Sequence, residues 1–189
     1  MKPVVALLDH GMGNLRSVTK ALEAADADVM VTSNAEDMDG CRALCVPGQG
    51  IFPRCMDNLA RLRLRDYIVD WIGRDKPYLG ICLGLQVLFE RSDEGDRKGL
   101  GVIRGDVKRI PTGVTVPHIG WNTVNDTYFY FDHSFAAQPK DPDVVTGWCE
   151  HGTRFAAEIN MGSVRAVQFH PEKSGGDGIA LLRDWVATI

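Results

Sequence analysis

Three short, unbroken apolar runs constrain this chain most: Val4-Val5-Ala6-Leu7-Leu8, Ala43-Leu44-Cys45-Val46 and Tyr78-Leu79-Gly80-Ile81. A strand with one wet face alternates apolar and polar residues. A strand that is apolar throughout has to be buried on both faces, as in a parallel sheet covered by helices. The intervening segments carry the helical period. Asn14 is a good N-cap, and Leu15, Val18, Leu22 and Ala25 after it fall on one face. Leu64, Ile68, Trp71 and Ile72 repeat in the same way, which predicts a helix over about 60–74. Gly84 to Glu90 reads as the next helix and Asp28 to Thr32 as a short second strand. This alternation describes an α/β fold with a mostly parallel sheet and helices on both faces.

The second half differs. Strand-like pieces at Val102–Ile110, Thr115–His118, Tyr128–Phe131, Val144–Cys149, Phe155–Ile159 and Val164–Phe169 are separated by Gly, Pro, Asn and Asp turns. They predict an antiparallel extension of the sheet. A last helix follows Ser174-Gly175-Gly176, with Ile179, Leu182, Trp185 and Val186 on one face. The charged, glycine-containing segment Asp93–Lys98 reads as a mobile loop. At 189 residues, and without repeats or linkers, the expectation is one domain over 1–189.

Composition narrows the function class. Hydrophobic residues at 44% and charged residues at 24% argue against disorder, and no apolar run is long enough for a membrane span. A net charge of −4 lacks the electrostatic footprint of a nucleic-acid binder. The N-terminus reaches Asp9 too soon for a signal peptide. Five scattered cysteines, an odd number, suit free thiols in a reducing, cytoplasmic compartment.

Two segments point to chemistry. Gly80-Ile81-Cys82-Leu83-Gly84 places small residues two before and two after a cysteine at a strand-to-helix junction, the nucleophile-elbow pattern. Cys82 would then project from the carboxyl end of the sheet, at a helix N-terminus whose dipole favours thiolate. The Leu83 N–H would face any oxyanion formed on an attacked carbonyl. Taken alone, the pentapeptide equally describes a small buried hydrophobe. In Phe169-His170-Pro171-Glu172, extended backbone puts His170 and Glu172 on one side. Pro171 keeps its predecessor out of the helical region. A carboxylate on one imidazole nitrogen with the other free is the base-plus-orienter half of a triad. Pro47-Gly48-Gln49-Gly50, directly after a strand, lets backbone approach a ligand closely and would supply a second oxyanion donor or hold a substrate end.

Gly80–Gly84 continuing as Leu85-Gln86, together with Phe169–Glu172, resembles the class I (triad) glutamine amidotransferases. Gly11-Met12-Gly13-Asn14-Leu15-Arg16-Ser17-Val18, Pro117-His118-Ile119-Gly120-Trp121-Asn122 and His170-Pro171-Glu172-Lys173-Ser174 look like the glutaminase subunits of imidazole glycerol phosphate synthase within that family. The resemblance spans almost the whole chain. It implies that Cys82 attacks glutamine and forms a glutamyl thioester, that His170 moves the protons, and that Glu172 orients His170. It further implies that Leu83 N–H and, after a peptide flip, an amide of Gly48–Gln49–Gly50 form the oxyanion hole. Gly50, Gln86, Ser134, Phe135 and Glu94 match glutamine-holding positions. The implied partner is a (β/α)₈-barrel cyclase that takes the ammonia to make imidazole glycerol phosphate and an aminoimidazole carboxamide ribotide. Asn14, Trp121, Asn122 and Lys173 match positions facing that partner. No cofactor or metal, no nucleic acid and no membrane is implied.

Two departures stand out. His10 stands where the family usually has Tyr, and Gln49 where a small apolar residue is common, which bears on how easily the loop peptide moves. Cys41-x₃-Cys45, with Cys55 and His10, falls only loosely within metal-ligand spacing, without a second pair. Arg61, Arg63 and Arg65 read as a solvated helix face, and His118, His133 and His151 as structural residues, with His133 nearest the substrate strand. The competing readings are another triad amidotransferase, of the anthranilate, guanylate or pyridoxal-phosphate type, and a non-catalytic redox or interaction module. The Gly-Met-Gly-Asn and Pro-His-Ile-Gly-Trp-Asn stretches speak against the first, and the His-Pro-Glu segment against the second.

Overall fold

A computed structural model describes residues 2–189. The first half alternates as expected: β1 (Val4–Leu8), α1 (Leu15–Ala24), β2 (Asp28–Thr32), α2 (Ala35–Asp39), β3 (Ala43–Val46), α3 (Phe52–Arg61), α4 (Arg65–Gly73), β4 (Tyr78–Ile81) and α5 (Leu83–Gln86). Then come β5 (Phe89–Ser92), β6 (Gly95–Lys98), β7 (Ile103–Arg109), β8 (His118–Val124), β9 (Thr127–His133), β10 (Phe135–Pro139), β11 (Val145–Glu150), β12 (Arg154–Met161), β13 (Val164–Val167) and α6 (Gly175–Val186). The main sheet runs β2-β1-β3-β4-β13-β12-β10-β7-β5-β6, with β11 on β12. Pairing is parallel from β2 to β13, antiparallel from β13 to β7, and parallel again between β7 and β5.

The unbroken apolar runs do what two-sided burial requires. In β1, Val5 and Leu7 enter one core, while Ala6 and Leu8 enter the core on the opposite face. The first core holds α1 and α6, and the second holds α3, α4 and α5. The Asn14 side chain accepts the Ser17 N–H at 3.3 Å, capping α1, and Val18 and Leu22 are buried as the period predicts.

The single helix expected over 60–74 is two. Arg63 takes a left-handed φ of 59° between α3 and α4. The Leu64 N–H bonds Leu59 O at 2.8 Å and the Arg63 N–H bonds Ala60 O at 3.0 Å, a Schellman ending with Leu59 and Leu64 both buried. The arginines are correspondingly not one solvated helix face, since Arg65 donates to the carbonyls of Lys98 and Gly99. The helix expected over Gly84–Glu90 stops after one turn. Val87, Leu88 and Phe89 are wholly buried and lead into β5, whose partner β7 is supplied by later chain. Asp93–Lys98 is no free loop but the turn and second strand of the β5–β6 hairpin, tied by Arg97 to Asp57 at 2.6 Å and by Lys108 to Asp93 at 3.1 Å.

The antiparallel extension is present but incomplete as an account. β8 and β9 leave the main sheet as a separate two-stranded ribbon. Strand pairing in the ribbon begins at His118, not at Thr115, and β10 follows one residue after β9. Inside the ribbon His118 and His133 are buried, with His118 stacked between Phe131 and His151. His133 Nδ1 lies 2.8 Å from Phe135 O and must donate to it, so its Nε2 accepts from His118 Nδ1 at 2.9 Å. His118 Nε2 then accepts from the Asn122 amide at 3.2 Å. The chain requires both rings neutral. Burial pushes His118 down to about 4, with His151 adding to the effect. Burial pushes His133 down to about 3, against the help of its Phe135 bond.

An unfolded chain takes up these two protons near pH 6.5, so stability is full above that pH and is lost as pH falls toward the depressed values. We expect the melting temperature to fall by about 5 °C per pH unit between about pH 6 and 4. The slope should be visibly smaller in His118→Phe, which keeps the stack but cannot titrate. Calorimetry across that range checks it.

Candidate active site

The elbow forms because backbone must pass where a side chain cannot. A Cβ on Gly84 would overlap the Val46 carbonyl of β3, and one on Gly80 would sit 2.5 Å from Gly84 O. The Tyr78 hydroxyl donates to Gly84 O at 2.8 Å and the Cys82 N–H to Val167 O at 2.7 Å, pinning the turn between β4 and β13. Cys82 is left with φ 53° and ψ −101°, a conformation that costs a non-glycine residue on the order of 1–3 kcal/mol. Its side chain emerges at the carboxyl end of the parallel strands. The helix behind it spans only four residues, so the dipole expected to favour thiolate is that of a single turn.

From β13 the chain delivers His170 to the same end. Its N–H bonds Tyr130 O at 2.8 Å, and its carbonyl accepts the Ser174 hydroxyl at 2.6 Å. Phe169 stacks on Phe129 with centroids 4.0 Å apart. His170 is extended, but Glu172 lies in a 3₁₀ turn that Pro171 begins, so the two meet across a turn and not along a strand. His170 Nδ1 donates to Glu172 Oε1 at 2.8 Å, with both side chains almost fully buried. Among the described residues, His170 Nε2 has no aligned hydrogen-bond partner. Burial works to lower the His170 pKa. The adjacent Cys82 sulfur as thiolate, and the bond to Glu172, outweigh it and raise the value well above that of a free imidazole.

A cavity of about 270 Å³ opens beside Cys82. It brings together Cys82, Leu83, Gln49, Gly50, Gln86, Glu94, Ser134 and Phe135. The loop residues are in a donor-poor arrangement. Gly48 O accepts the Leu83 N–H at 3.4 Å, so the amide expected at an oxyanion is occupied by a carbonyl. Gly50 has φ 127°, which favours glycine. Gln86 Nε2 donates to Phe135 O at 2.9 Å. Glu94 sits on the cavity wall with Oε2 accepting the Phe52 N–H at 2.7 Å, closing the start of α3. Burial raises its pKa against that bond.

Asn14, Trp121, Asn122 and Lys173 do not line the cavity. Asn14 is the α1 cap, and Asn122 also donates to Glu150 O at 3.1 Å. Trp121 is 56% exposed on the ribbon, not a core aromatic. Lys173 Nζ is 3.8 Å from Asp132, which borders the cavity and also receives the Gln49 amide at 3.5 Å. Cys41, Cys45, Cys55 and Cys149 are buried free thiols whose pKa burial raises, to about 12 for Cys55 and about 11 for Cys149.

Sequence reasoning passed over Gln168, which is fully buried with Nε2 3.5 Å from Cys82 Sγ. It also gave His10 no structural role. Burial holds His10 neutral, and its Nε2–H donates to Pro47 O at 2.6 Å, anchoring the start of the Gly48–Gly50 loop. Gln168 had one available signal, its place two residues before His170 beyond an apolar strand. His10 was marked only as a departure from the family's usual Tyr, which does not show what it bonds.

Comparison with known proteins agrees with this geometry. The model of the family "Glutamine amidotransferase class-I" matches residues 6–189. A Dechloromonas aromatica protein named imidazole glycerol phosphate synthase subunit HisH is 43% identical, with 96% of this chain and 95% of that protein covered. The Rhodopirellula baltica protein of the same name is 42% identical, with 95% of each covered. Among solved structures, PurLQS from Thermotoga maritima superposes with a TM-score of 0.77 at 20% identity, covering 100% of this chain and 99% of that one. Another, titled a glutamine amidotransferase, superposes at 0.74 and 20% identity, with 98% of this chain and 99% of the other covered. These two likenesses concern the fold. The cysteine elbow, the buried histidine–carboxylate pair and the match along nearly the whole sequence lead to one assignment: the chain belongs to the class I glutamine amidotransferases.

Proposed function

We propose that this chain is the glutaminase subunit of an imidazole glycerol phosphate synthase, with Cys82, His170 and Glu172 as its triad. The observation that carries the reading is the buried His170–Glu172 pair, bonded at 2.8 Å, with the free imidazole nitrogen beside a strained cysteine elbow. The Cys82 thiolate attacks the side-chain amide carbon of glutamine, and the carbonyl electrons move onto oxygen. As the tetrahedral species collapses, the C–N bond breaks and His170 gives its proton to the leaving ammonia, leaving a glutamyl thioester. His170 then takes a proton from water, whose oxygen attacks the thioester. The C–S bond breaks and glutamate departs. Glu172 keeps the imidazole oriented and supports its positive form. Side chains and water supply the nucleophiles and protons, so the scheme calls on no cofactor.

Gly50, Gln86, Glu94, Ser134 and Phe135 are read as holding the substrate, supported by their shared cavity. Leu83 N–H is one oxyanion donor, and a Gly48–Gln49–Gly50 amide becomes the other when the Gly48 carbonyl turns away. The partner is a (β/α)₈-barrel cyclase that consumes the ammonia in forming imidazole glycerol phosphate and the carboxamide ribotide. Asn14, Trp121, Asn122 and Lys173 would face it. Trp121, Ile119 and Tyr128, all more than half exposed on the β8–β9 ribbon, support a protein-binding face there. We read residues 1–189 as one glutaminase domain acting in the cytoplasm. No helix among the described residues is long and apolar enough to cross a membrane.

In the presence of such a cyclase and its ligand, Cys82→Ala should lower glutamate release at least about 1,000-fold. Hydrolysis at the wild-type rate would overturn the mechanism. Since the Leu83 amide is occupied at rest, the isolated chain should run on the order of 100-fold or more slower than the complex, the worth of one oxyanion donor. A full rate from the chain alone would contradict this, as read by a coupled glutamate assay. With the His170 pKa raised, its proton persists above neutrality and is lost only on the alkaline side. Glu172→Gln removes part of what raises it. The alkaline limb of kcat/KM should therefore move toward neutral pH by about one unit, with a rate loss of about 100-fold.

A further inference from the structure

Apart from His170, whose raised pKa favours a protonated ring beside the sulfur, the surroundings of Cys82 hold few of the groups that stabilise a thiolate. The helix behind the sulfur is one turn long. Among the described residues, no lysine or arginine lines the cavity, while Glu94 and Asp132 do. His133, also on the wall, is neutral. His170 faces the sulfur, with Glu172 behind it. One other polar group reaches the sulfur: the side-chain amide of Gln168, with Nε2 at 3.5 Å.

The direction of that contact follows from a backbone carbonyl. Phe135 O has no proton to give, and it is 2.9 Å from the Gln86 side chain and 2.8 Å from His133 Nδ1. Gln86 must therefore turn its Nε2 toward it. The second Nε2 proton of Gln86 meets Gln168 Oε1 at 3.1 Å. With Oε1 committed to Gln86, the Gln168 NH₂ faces Cys82 Sγ. Were the amide reversed, two NH₂ groups would meet in the interior. Gln168 is fully buried and its N–H is bonded to Ala157 O at 2.8 Å, so neither solvent nor backbone motion relaxes the arrangement.

We infer that Gln168 is a further catalytic residue of this site, a hydrogen-bond donor that favours the thiolate of Cys82, and that Gln86 is its positioning residue, fixing the amide so that nitrogen faces sulfur. A donor aimed at sulfur stabilises the anion over the thiol. This deepens the triad reading and rests on Cys82 being the nucleophile.

The test is the pH profile of Cys82 alkylation by iodoacetamide in the full chain, followed by mass spectrometry with peptide mapping. All five thiols are largely buried, but Cys82 opens on the cavity and burial raises the pKa of the other four, so peptide mapping reads Cys82 separately. Gln168→Met keeps the length and removes the donor. Its alkylation midpoint should move about one pH unit to the alkaline side, with labelling about tenfold slower below the midpoint, while the loss of the acceptor for Gln86 Nε2 lowers the melting temperature by a few degrees without unfolding the chain. Gln168→Asn, one methylene too short to reach the sulfur, should show the same shift and carries the test if the Met variant fails to fold. An unchanged midpoint in a folded variant overturns the proposal, even if glutamine hydrolysis falls, because a purely structural role would not move it. Alkylation needs no glutamine turnover. Failure of the glutaminase reading would show instead as absent hydrolysis in a wild-type complex whose Cys82 labels normally.

Discussion

The close passage of Gly84 under the Val46 carbonyl is the contact on which the rest of the site depends. No side chain fits between β3 and the first turn of α5, so the chain can turn tightly after β4. The price of that turn falls on Cys82, the one residue forced into a left-handed backbone there. Because β3, β4 and β13 are neighbours in parallel, the loops leaving their carboxyl ends converge on the sulfur. Pro47–Gly50 comes from one side and Gln168–Lys173 from the other. A single glycine-on-carbonyl contact thereby sets where a nucleophile, a base and an oxyanion loop can meet.

Around this point the hydrogen bonds have enforced directions. Phe135 O accepts from two side chains, His133 and Gln86. One chain runs from it through His133 and His118 to Asn122 on the exposed ribbon. The other runs through Gln86 and Gln168 to Cys82. An acceptor-only atom at the junction fixes the tautomer of both histidines and the orientation of both glutamine amides. Burial and bonding agree here, since neutral imidazoles are what both the apolar surroundings and the proton count demand.

The loop opposite is held in a resting arrangement by polar contacts of similar kind. His10 donates to Pro47 O, Leu83 N–H to Gly48 O, and the Gln49 amide to Asp132. A carbonyl occupying the Leu83 amide is the wrong charge for an oxyanion, which accounts physically for the proposed dependence on a partner. His10 and Gln49, the two departures from the usual family pattern, are both bonded at this loop. The residues that differ are thus those positioned to change how tightly it is held.

Features that depend on a few adjacent residues were legible in the amino-acid sequence alone. The apolar runs specify strands buried on both faces, Asn14 caps its own helix, the glycines around Cys82 announce the turn, and His170 and Glu172 are close enough in the chain to find each other. The glycines of the Gly48–Gly50 loop also marked a close backbone approach, and the resemblance added Gln86 and Phe135, which the fold gathers with Gln49 and Gly50 into one cavity. Tertiary structure alone decided which way groups point when their partners are far along the chain. Gln168 meets a sulfur 86 residues away, Gly48 O intercepts the Leu83 amide, and β5 forms where a helix was expected because β7 offers it an edge. Local propensity carries no information about such partners. Their hydrogen bonds exist only once the order of strands in the sheet has brought them within reach.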